Sequence, residues 1–360
     1  VGYIQKYLFI ISILFTPKII QAKDLGGNFS LYGKLSMAAI GQAGVQSLNN
    51  NSSRFGFKYE RDDLLEGFTT GLRAEFGINT SNTSQSVQEI PNTTGRFQVD
   101  NTSDRPFSTR LTYLSLSKGD FEATIGKNWS VWYDISGLTD IFMVTGAFAS
   151  STYTSNGEVI GTSRGVDLVQ LRYKLGNIHL GAQAKLTGDE STDITDSAGN
   201  VIGQLVLEHS IAASIRYITK NIILGAAAIN LITDSTGKDI SETSVSVGAR
   251  YIYKEFFTAF NYADAKDLEL VDGNFIRTDD FEGLIGWNIT KRHQLMIGYN
   301  WQNSDEVNYE DYEMSYYLAS YIYRYGQVEL GLEFVFDDST EPSGERPENH
   351  QVILGATLYF

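Results

Sequence analysis

Through most of the chain, apolar and polar residues alternate with a period of two. Phe55, Phe57 and Tyr59 share one parity, as do Ile178, Leu180, Ala182, Ala184 and Leu186. Further runs are Val245/Val247/Ala249/Tyr251/Tyr253, Phe281/Gly283/Ile285/Trp287/Ile289 and Val328/Leu330/Leu332/Phe334. This is the period of a β-strand with one face in an apolar medium. The residues between are small or polar, as on a wall facing water. Sixteen segments read this way: 28–42, 52–61, 67–78, 107–117, 120–128, 164–175, 178–188, 208–218, 221–232, 242–253, 256–265, 280–290, 293–302, 312–325, 327–337 and 350–360. All five prolines, Pro17, Pro91, Pro106, Pro342 and Pro347, lie outside them. That is consistent, because proline removes a ladder donor.

The connections alternate in length. Those at 62–66, 118–119, 176–177, 219–220, 254–255, 291–292 and 326 are short. Those at 43–51, 79–106, 129–163, 189–207, 233–241, 266–279, 303–311 and 338–349 are longer. Seven short turns and eight long loops predict an all-β, even-stranded antiparallel transmembrane barrel with both ends on the short-turn side. Sixteen strands leave an aqueous lumen, whereas about eight would be filled by side chains. The last strand carries Val352, Leu354, Ala356 and Leu358 on one parity and stops on Phe360. A terminal aromatic suits the lipid interface of an outer-membrane barrel and marks Phe360 as a candidate assembly signal.

Composition sharpens this picture. Mean hydropathy is −0.18, as expected when lipid-facing and water-facing residues alternate. Tyr and Phe together number 41, enough for aromatic girdles at two interfaces. Residues 1–22 read as a cleavable export signal: Lys6, then the apolar run 7–15, then Ile20-Gln21-Ala22. That run is too short to span a bilayer, which takes ~20 residues. Without Lys6 and Lys18, 26 basic residues face 43 acidic ones, a net charge of −17. Such a balance argues against nucleic acid as a partner. With no cysteine, disulfides and thiolate metal sites are excluded.

Several motifs resemble the general diffusion porins of Gram-negative bacteria, most closely the enterobacterial trimeric type. They are Leu31-Tyr32-Gly33-Lys34, Ser53-Arg54-Phe55-Gly56-Phe57-Lys58, Thr109-Arg110-Leu111, the run Trp132-Tyr133-Asp134-Ile135-Ser136-Gly137-Leu138-Thr139-Asp140, and Ser163-Arg164-Gly165-Val166. The resemblance implies that the third external loop, residues 129–163, folds into the barrel of the 23–360 domain. It places Asp140 on that loop, facing Lys34, Arg54, Arg110 and Arg164 on the wall, with Glu75 as a wall carboxylate. The alternation agrees: Lys34, Arg54 and Arg110 fall opposite Leu35, Phe55 and Leu111. A cation on the lipid face costs ~2–4 kcal/mol at mid-bilayer. In one departure, Val144 stands where the family usually carries a second loop acid.

The resemblance further implies passive diffusion of ions and small hydrophilic solutes, with no cofactor. A substrate-specific channel for sugars or anions is the alternative. It implies a homotrimer in outer-membrane lipid and lipopolysaccharide, inserted by the barrel-assembly machinery. The region 79–106 would latch onto a neighbouring subunit near Lys127. An outer-membrane hydrolase would need a nucleophile, a base and an orienter. None of His179, His209, His293 and His350 has such a context. The acidic clusters Glu310/Asp311/Glu313 and Asp337/Asp338/Glu341 lack EF-hand spacing and read as solvated charge rather than metal sites.

Overall fold

The computed structural model describes residues 26–42, 44–79, 85–89, 97–101, 106–153, 157–186, 191–195, 201–235, 238–271, 274–346 and 349–360. Among them are twenty strands. In chain order these are β1 (Asn28–Gln42), β2 (Val45–Asn50), β3 (Arg54–Leu65), β4 (Phe68–Ile78), β5 (Gln85–Glu89), β6 (Phe97–Asn101), β7 (Phe107–Lys118), β8 (Phe121–Trp129), β9 (Arg164–Leu175) and β10 (Ile178–Lys185). There follow β11 (Ser191–Thr195), β12 (Val201–Ile218), β13 (Ile222–Ser235), β14 (Lys238–Tyr253), β15 (Phe256–Val271), β16 (Asn274–Asn288), β17 (His293–Asn303), β18 (Glu313–Tyr325), β19 (Val328–Asp337) and β20 (Gln351–Tyr359). Two one-turn helices, α1 (Tyr133–Ser136) and α2 (Gly157–Ile160), lie between β8 and β9.

Sixteen of the strands form a closed antiparallel barrel. Neighbours in sequence pair around the wall, and β20 closes it against β1 from Lys34↔Tyr359 to Gln42↔Gln351. Closure leaves no edge, so the ladder groups that hydrocarbon cannot satisfy are paired. The remaining strands belong to the loops: β2 continues the line of β3, β5 pairs with β6, and β11 pairs with β12. At the end of the last strand, Gly33 and Phe360 exchange both backbone hydrogen bonds, 2.9 and 3.0 Å. The Phe360 ring lies over Gly33, where an added Cβ would meet Cζ at 2.5 Å. Only glycine admits the ring there.

The wall inverts the burial of a soluble domain. Ile211, Ile215, Leu224, Val245, Val247, Leu330, Val352 and Leu354 are exposed on the outside. Ser210, Ser214, Ser244, Ser246, Gln170, Gln183, Glu282 and Glu333 are buried inside. The alternation in the sequence is therefore the alternation between lipid and lumen. At one end, two-residue turns join Leu65 to Phe68, Lys118 to Phe121, Leu175 to Ile178, Tyr253 to Phe256 and Tyr325 to Val328.

At the other end the strands run further than the alternation predicts. The expected loop 43–51 contains β2 and is reduced to a tight turn. The expected loops at 233–241 and 266–279 are mostly ladder, with β13 pairing β14 up to Ser235↔Lys238 and β15 pairing β16 up to Val271↔Asn274. Beyond the membrane both faces of a hairpin are wet, so pairing continues while the period-two signal fades. Arg110 and Leu111 do not fall on opposite faces as simple alternation predicts. The ladder skips Arg110 between Thr109↔Phe76 and Leu111↔Glu75. This bulge puts Leu111, which is 0% exposed, on the same inward side as Arg110. The proposed leader 1–22 and most of the proposed latch 79–106 lie outside the described residues.

Candidate pore constriction

The described residues of the segment 130–163 pack against the inner wall of the barrel. Ile135 and Leu138 abut Gly248 of β14, where an added Cβ would meet them at 3.1 and 3.2 Å. A Cβ added at Gly298 of β17 would meet the Phe142 ring at 2.8 Å, and one added at Gly355 of β20 would meet Met143 and Val144, each at 3.1 Å. Glycines on several strands thus leave a track in which the loop lies close to the wall. Trp132, Ile135 and Ile160 join Ala212, Ala227, Ile229 and Leu231 in a buried cluster beneath it.

Two sets of charges of opposite placement hold the loop. At the two ends of the segment the acids belong to the loop. Asp134 of α1 pairs with Arg172, lies 3.4 Å from Arg216, and accepts from Ser214 at 3.0 Å. Glu158 of α2 pairs with Lys127 and lies 3.1 Å from Arg164. In its middle the acids belong to the wall. Glu333 accepts from the backbone N–H of Met143 (2.7 Å), Val144 (3.2 Å) and Thr145 (2.9 Å) and from the Thr145 hydroxyl (2.8 Å). Glu282 accepts from the Ala149 N–H at 3.0 Å and from the Thr139 hydroxyl. Hydrogen bonds to an ionised acceptor are about twice as strong as neutral ones.

Asp140 stands within this middle stretch. Its Oδ2 accepts from both Tyr133 and Tyr153 hydroxyls, each at 2.7 Å. Burial, then the Asp140 carboxylate, pushes both phenols well above their usual value, so they remain donors. Tyr133 stacks on Trp129 at 4.0 Å, and Trp129 carries the Arg164 guanidinium at 5.5 Å. Across the pore, Glu75 is the hub of a cationic wall. It accepts from Arg110 Nε at 2.9 Å and from Tyr32 at 3.0 Å, with Arg73 at 3.3 Å and Arg54 at 3.8 Å. Lys34 pairs in the ladder with Arg54 and lies within electrostatic reach of Arg54, Arg110 and Asp140. Arg110 in turn feels Arg54 and Arg164. One carboxylate, Glu75, therefore serves three guanidinium groups, which leaves the wall strongly positive.

The structure thus gathers Lys34, Arg54, Glu75, Arg110, Arg164 and Asp140 around one lumen. Val144, which stands where the family usually carries an acid, is turned to the wall. It packs against the apolar cluster of Ala38, Ile40, Val335 and Ile353 and against Gly355, with its N–H on the wall acid Glu333. Position 144 is a wall contact, because a valine beside glycine gains burial that a water-facing site would not give. Lys127, expected at a neighbouring subunit, turns its ammonium to Glu158 of its own chain and is 14% exposed. A ladder irregularity between Gly126 and Asn128 frees it to do so. The sequence reading missed Asp134, Glu158, Asp280, Glu282 and Glu333. A charge at inward parity in a strand otherwise rich in apolar residues was the available signal for Glu282 and Glu333. What would face them was not legible.

A closed sixteen-stranded barrel with a lipid-facing apolar belt, a polar interior and a loop laid across it defines an outer-membrane channel. The chain belongs to the Gram-negative porin family, whose sequence model matches residues 11–357. It is a multi-pass outer-membrane porin forming a water-filled pore for passive diffusion of ions and small hydrophilic solutes. Similar folds include the Salmonella typhi OmpF complex with daunomycin, at TM-score 0.68 and 16% identity, covering 94% of this chain and 99% of that one. The anion-selective porin from Comamonas acidovorans has TM-score 0.68 and 14% identity, covering 93% and 100%. OmpT of Vibrio cholerae in its trimer form has TM-score 0.65 and 14% identity, also covering 93% and 100%. No curated protein matches the chain closely in sequence.

Proposed function

We propose that the eyelet of this porin is a transverse electrostatic filter. Asp140 forms its loop side, and Lys34, Arg54, Arg110 and Arg164 form its wall side, with Glu75 setting the spacing of the guanidinium groups. The observation that carries this reading is the shared hub at Glu75, with Arg110 at 2.9 Å and Arg54 at 3.8 Å. Opposed charges across a narrow lumen order water and orient dipolar solutes, and they penalise bulky apolar ones.

Bases outnumber acids at this level, so the eyelet leans toward anions while the −17 of the mature chain enriches cations at the mouth. The Comamonas neighbour is itself described as anion-selective. We further propose a homotrimer in lipopolysaccharide-containing membrane, export by a leader at 1–22, and assembly read from Phe360. The trimeric form of the Vibrio neighbour supports the first of these. Catalysis is not part of the proposal: His293 Nδ1 is engaged with Tyr321 at 2.7 Å and His350 Nδ1 with the Asp337 N–H at 3.2 Å. Planar-bilayer conductance with reversal potentials in a salt gradient tests the filter. A pore whose selectivity ignores charge removal at Asp140 and Arg110 would refute it. Block by one solute at micromolar concentration would indicate a substrate-specific channel instead.

A further inference from the structure

On the outside of the barrel, at its short-turn end, a run of exposed aromatic rings is edged by cations. Tyr253 of β14 faces Phe256 of β15 in the ladder, and Phe256 faces Trp287 of β16. Phe256 and Trp287 stack at 5.7 Å, and Tyr251 stacks on Tyr253 at 6.4 Å. Tyr325 of β18 continues the run, and all five rings are exposed. Aromatics at the edge of the apolar band lie at headgroup level, and the short turns of an outer-membrane barrel face the periplasm. This belt therefore meets the inner leaflet, where the lipids are phospholipids.

The turns bordering these strands are basic. Lys254 lies in the turn 254–255, and Lys291 and Arg292 lie in the turn 289–292. Glu255 is the one acid in these two turns. All three bases are exposed, and among the described residues none pairs with a carboxylate. Two of them fold back over the belt. Lys254 Nζ stands 5.3 Å from the centre of the Tyr253 ring, and the Arg292 guanidinium stands 5.0 Å from that of Tyr325. A ring takes one side of the cation and leaves the other side open to an anion.

The backbone singles out Lys254. Gly119, Gly176 and Gly326 each open a two-residue turn, at φ 57°, 58° and 59°. Lys254 fills the same position of its own turn at φ 54°. Glycine adopts this conformation freely, whereas a side chain there is strained. A lysine is thus held where three sister turns use glycine, and no acid of the chain accounts for it.

We infer that Lys254, Lys291 and Arg292, set over Tyr253 and Tyr325, bind the phosphodiester headgroup of an anionic phospholipid such as phosphatidylglycerol. The ammonium and guanidinium groups meet the phosphate, and the rings lie against the glycerol and the upper acyl chains. A phosphatidylcholine offers the same phosphate but brings its own cation into the basic turns, which disfavours it. The far flank of the rim lacks this character, since the turn after β3 carries Glu66.

Trp287 reports on the site directly. Trp129 and Trp132 belong to the pore side, and Trp301 shares the outer face with Phe281. A Trp301→Phe background therefore leaves Trp287 as the lipid-facing tryptophan. The folded protein is reconstituted with phosphatidylglycerol or phosphatidylcholine brominated on the acyl chains, which quench tryptophan on contact. Phosphatidylglycerol should bind about fivefold more tightly at low salt, and the preference should fall as salt rises. Lys254→Gln, Lys291→Gln and Arg292→Gln together should abolish it, and Glu255→Gln should strengthen it. Lys254→Gly should raise the unfolding temperature while lowering the preference, a pair of effects that a purely structural lysine would not give. If the triple variant fails to give the heat-modifiable barrel on gels, Lys254→Gly and Arg292→Gln carry the test singly. Equal quenching by the two lipids at low salt would overturn the inference. So would a preference that survives in the folded triple variant, or in both single variants.

Discussion

Glu333 Oε2 lies 2.9 Å from the backbone nitrogen of Thr145 and 2.8 Å from its hydroxyl oxygen. A carboxylate of the wall thus occupies a concavity of consecutive loop N–H groups, of the kind that binds anions. Glu333→Gln keeps the shape but removes the charge and turns one acceptor into a donor. With ~1.5–3 kcal/mol for a hydrogen bond to a charged group, the variant should lose about 3 kcal/mol of loop anchoring. Single-channel recordings should show added open-channel noise at unchanged trimer content. A quiet channel would mean that Glu333 does not hold the loop.

Val144→Glu is expected to destabilise the loop and leave selectivity nearly unchanged. The new carboxylate would enter an apolar cluster next to Gly355 and Glu333. A carboxylate set into this partly buried apolar contact, beside the acid Glu333, should cost ~1–3 kcal/mol. The checks are the thermal unfolding midpoint and the reversal potential. A clear shift toward cations in a fully stable variant would place residue 144 in the water.

Asp140→Asn should shift the reversal potential toward anions, and Arg110→Gln should shift it toward cations. One unit charge ~8 Å from the path is worth about 0.5 kcal/mol in water, so each change should alter the permeability ratio about twofold. Salt should act on top of this. External charges are screened beyond ~8–10 Å, whereas those in the narrow lumen are screened less. Weak cation selectivity at low salt should therefore fade, or turn toward anions, as salt rises. Selectivity that is flat across salt would contradict the two-layer arrangement.

Gly33→Val should reduce assembly, because its side chain would meet the Phe360 ring at 2.5 Å and the Arg54 carbonyl at 2.7 Å. Deleting Phe360 should lower the yield of folded barrel in cells while leaving the chain exported. Both are read by heat-modifiable gel mobility and outer-membrane abundance under modest expression. Unchanged abundance in both variants would remove Phe360 from assembly.

The wall was legible because lipid and water impose a period of two wherever both touch a strand, as at Val328/Leu330/Leu332/Phe334. Where water touches both faces, as near Ser235 and Lys238, the period vanished although pairing did not. Charge directs Arg110 inward, where its Nε meets Glu75 at 2.9 Å, but alternation misplaces Leu111, because a bulge adds one residue to one strand and alternation cannot register it. Around the eyelet, the residues on strands were easier to place than those on the loop. Asp140 and Val144 stand four positions apart with no period to orient them. Their directions come from partners distant in sequence, Tyr153 for one and Gly355 with Glu333 for the other.

The strands of the barrel are unequal in length, from eight or nine residues in β10 and β8 to sixteen or more in β12, β14 and β15. At ~3.3 Å per residue and a tilt near 40°, nine residues rise ~23 Å and sixteen rise ~40 Å. The first height matches an apolar band of ~25 Å, and the second exceeds it by ~15 Å. The hairpins of β12 to β15 consequently carry paired backbone well beyond the apolar band on one flank of the mouth. A solute that comes from that side meets a rigid ladder before it reaches the lumen.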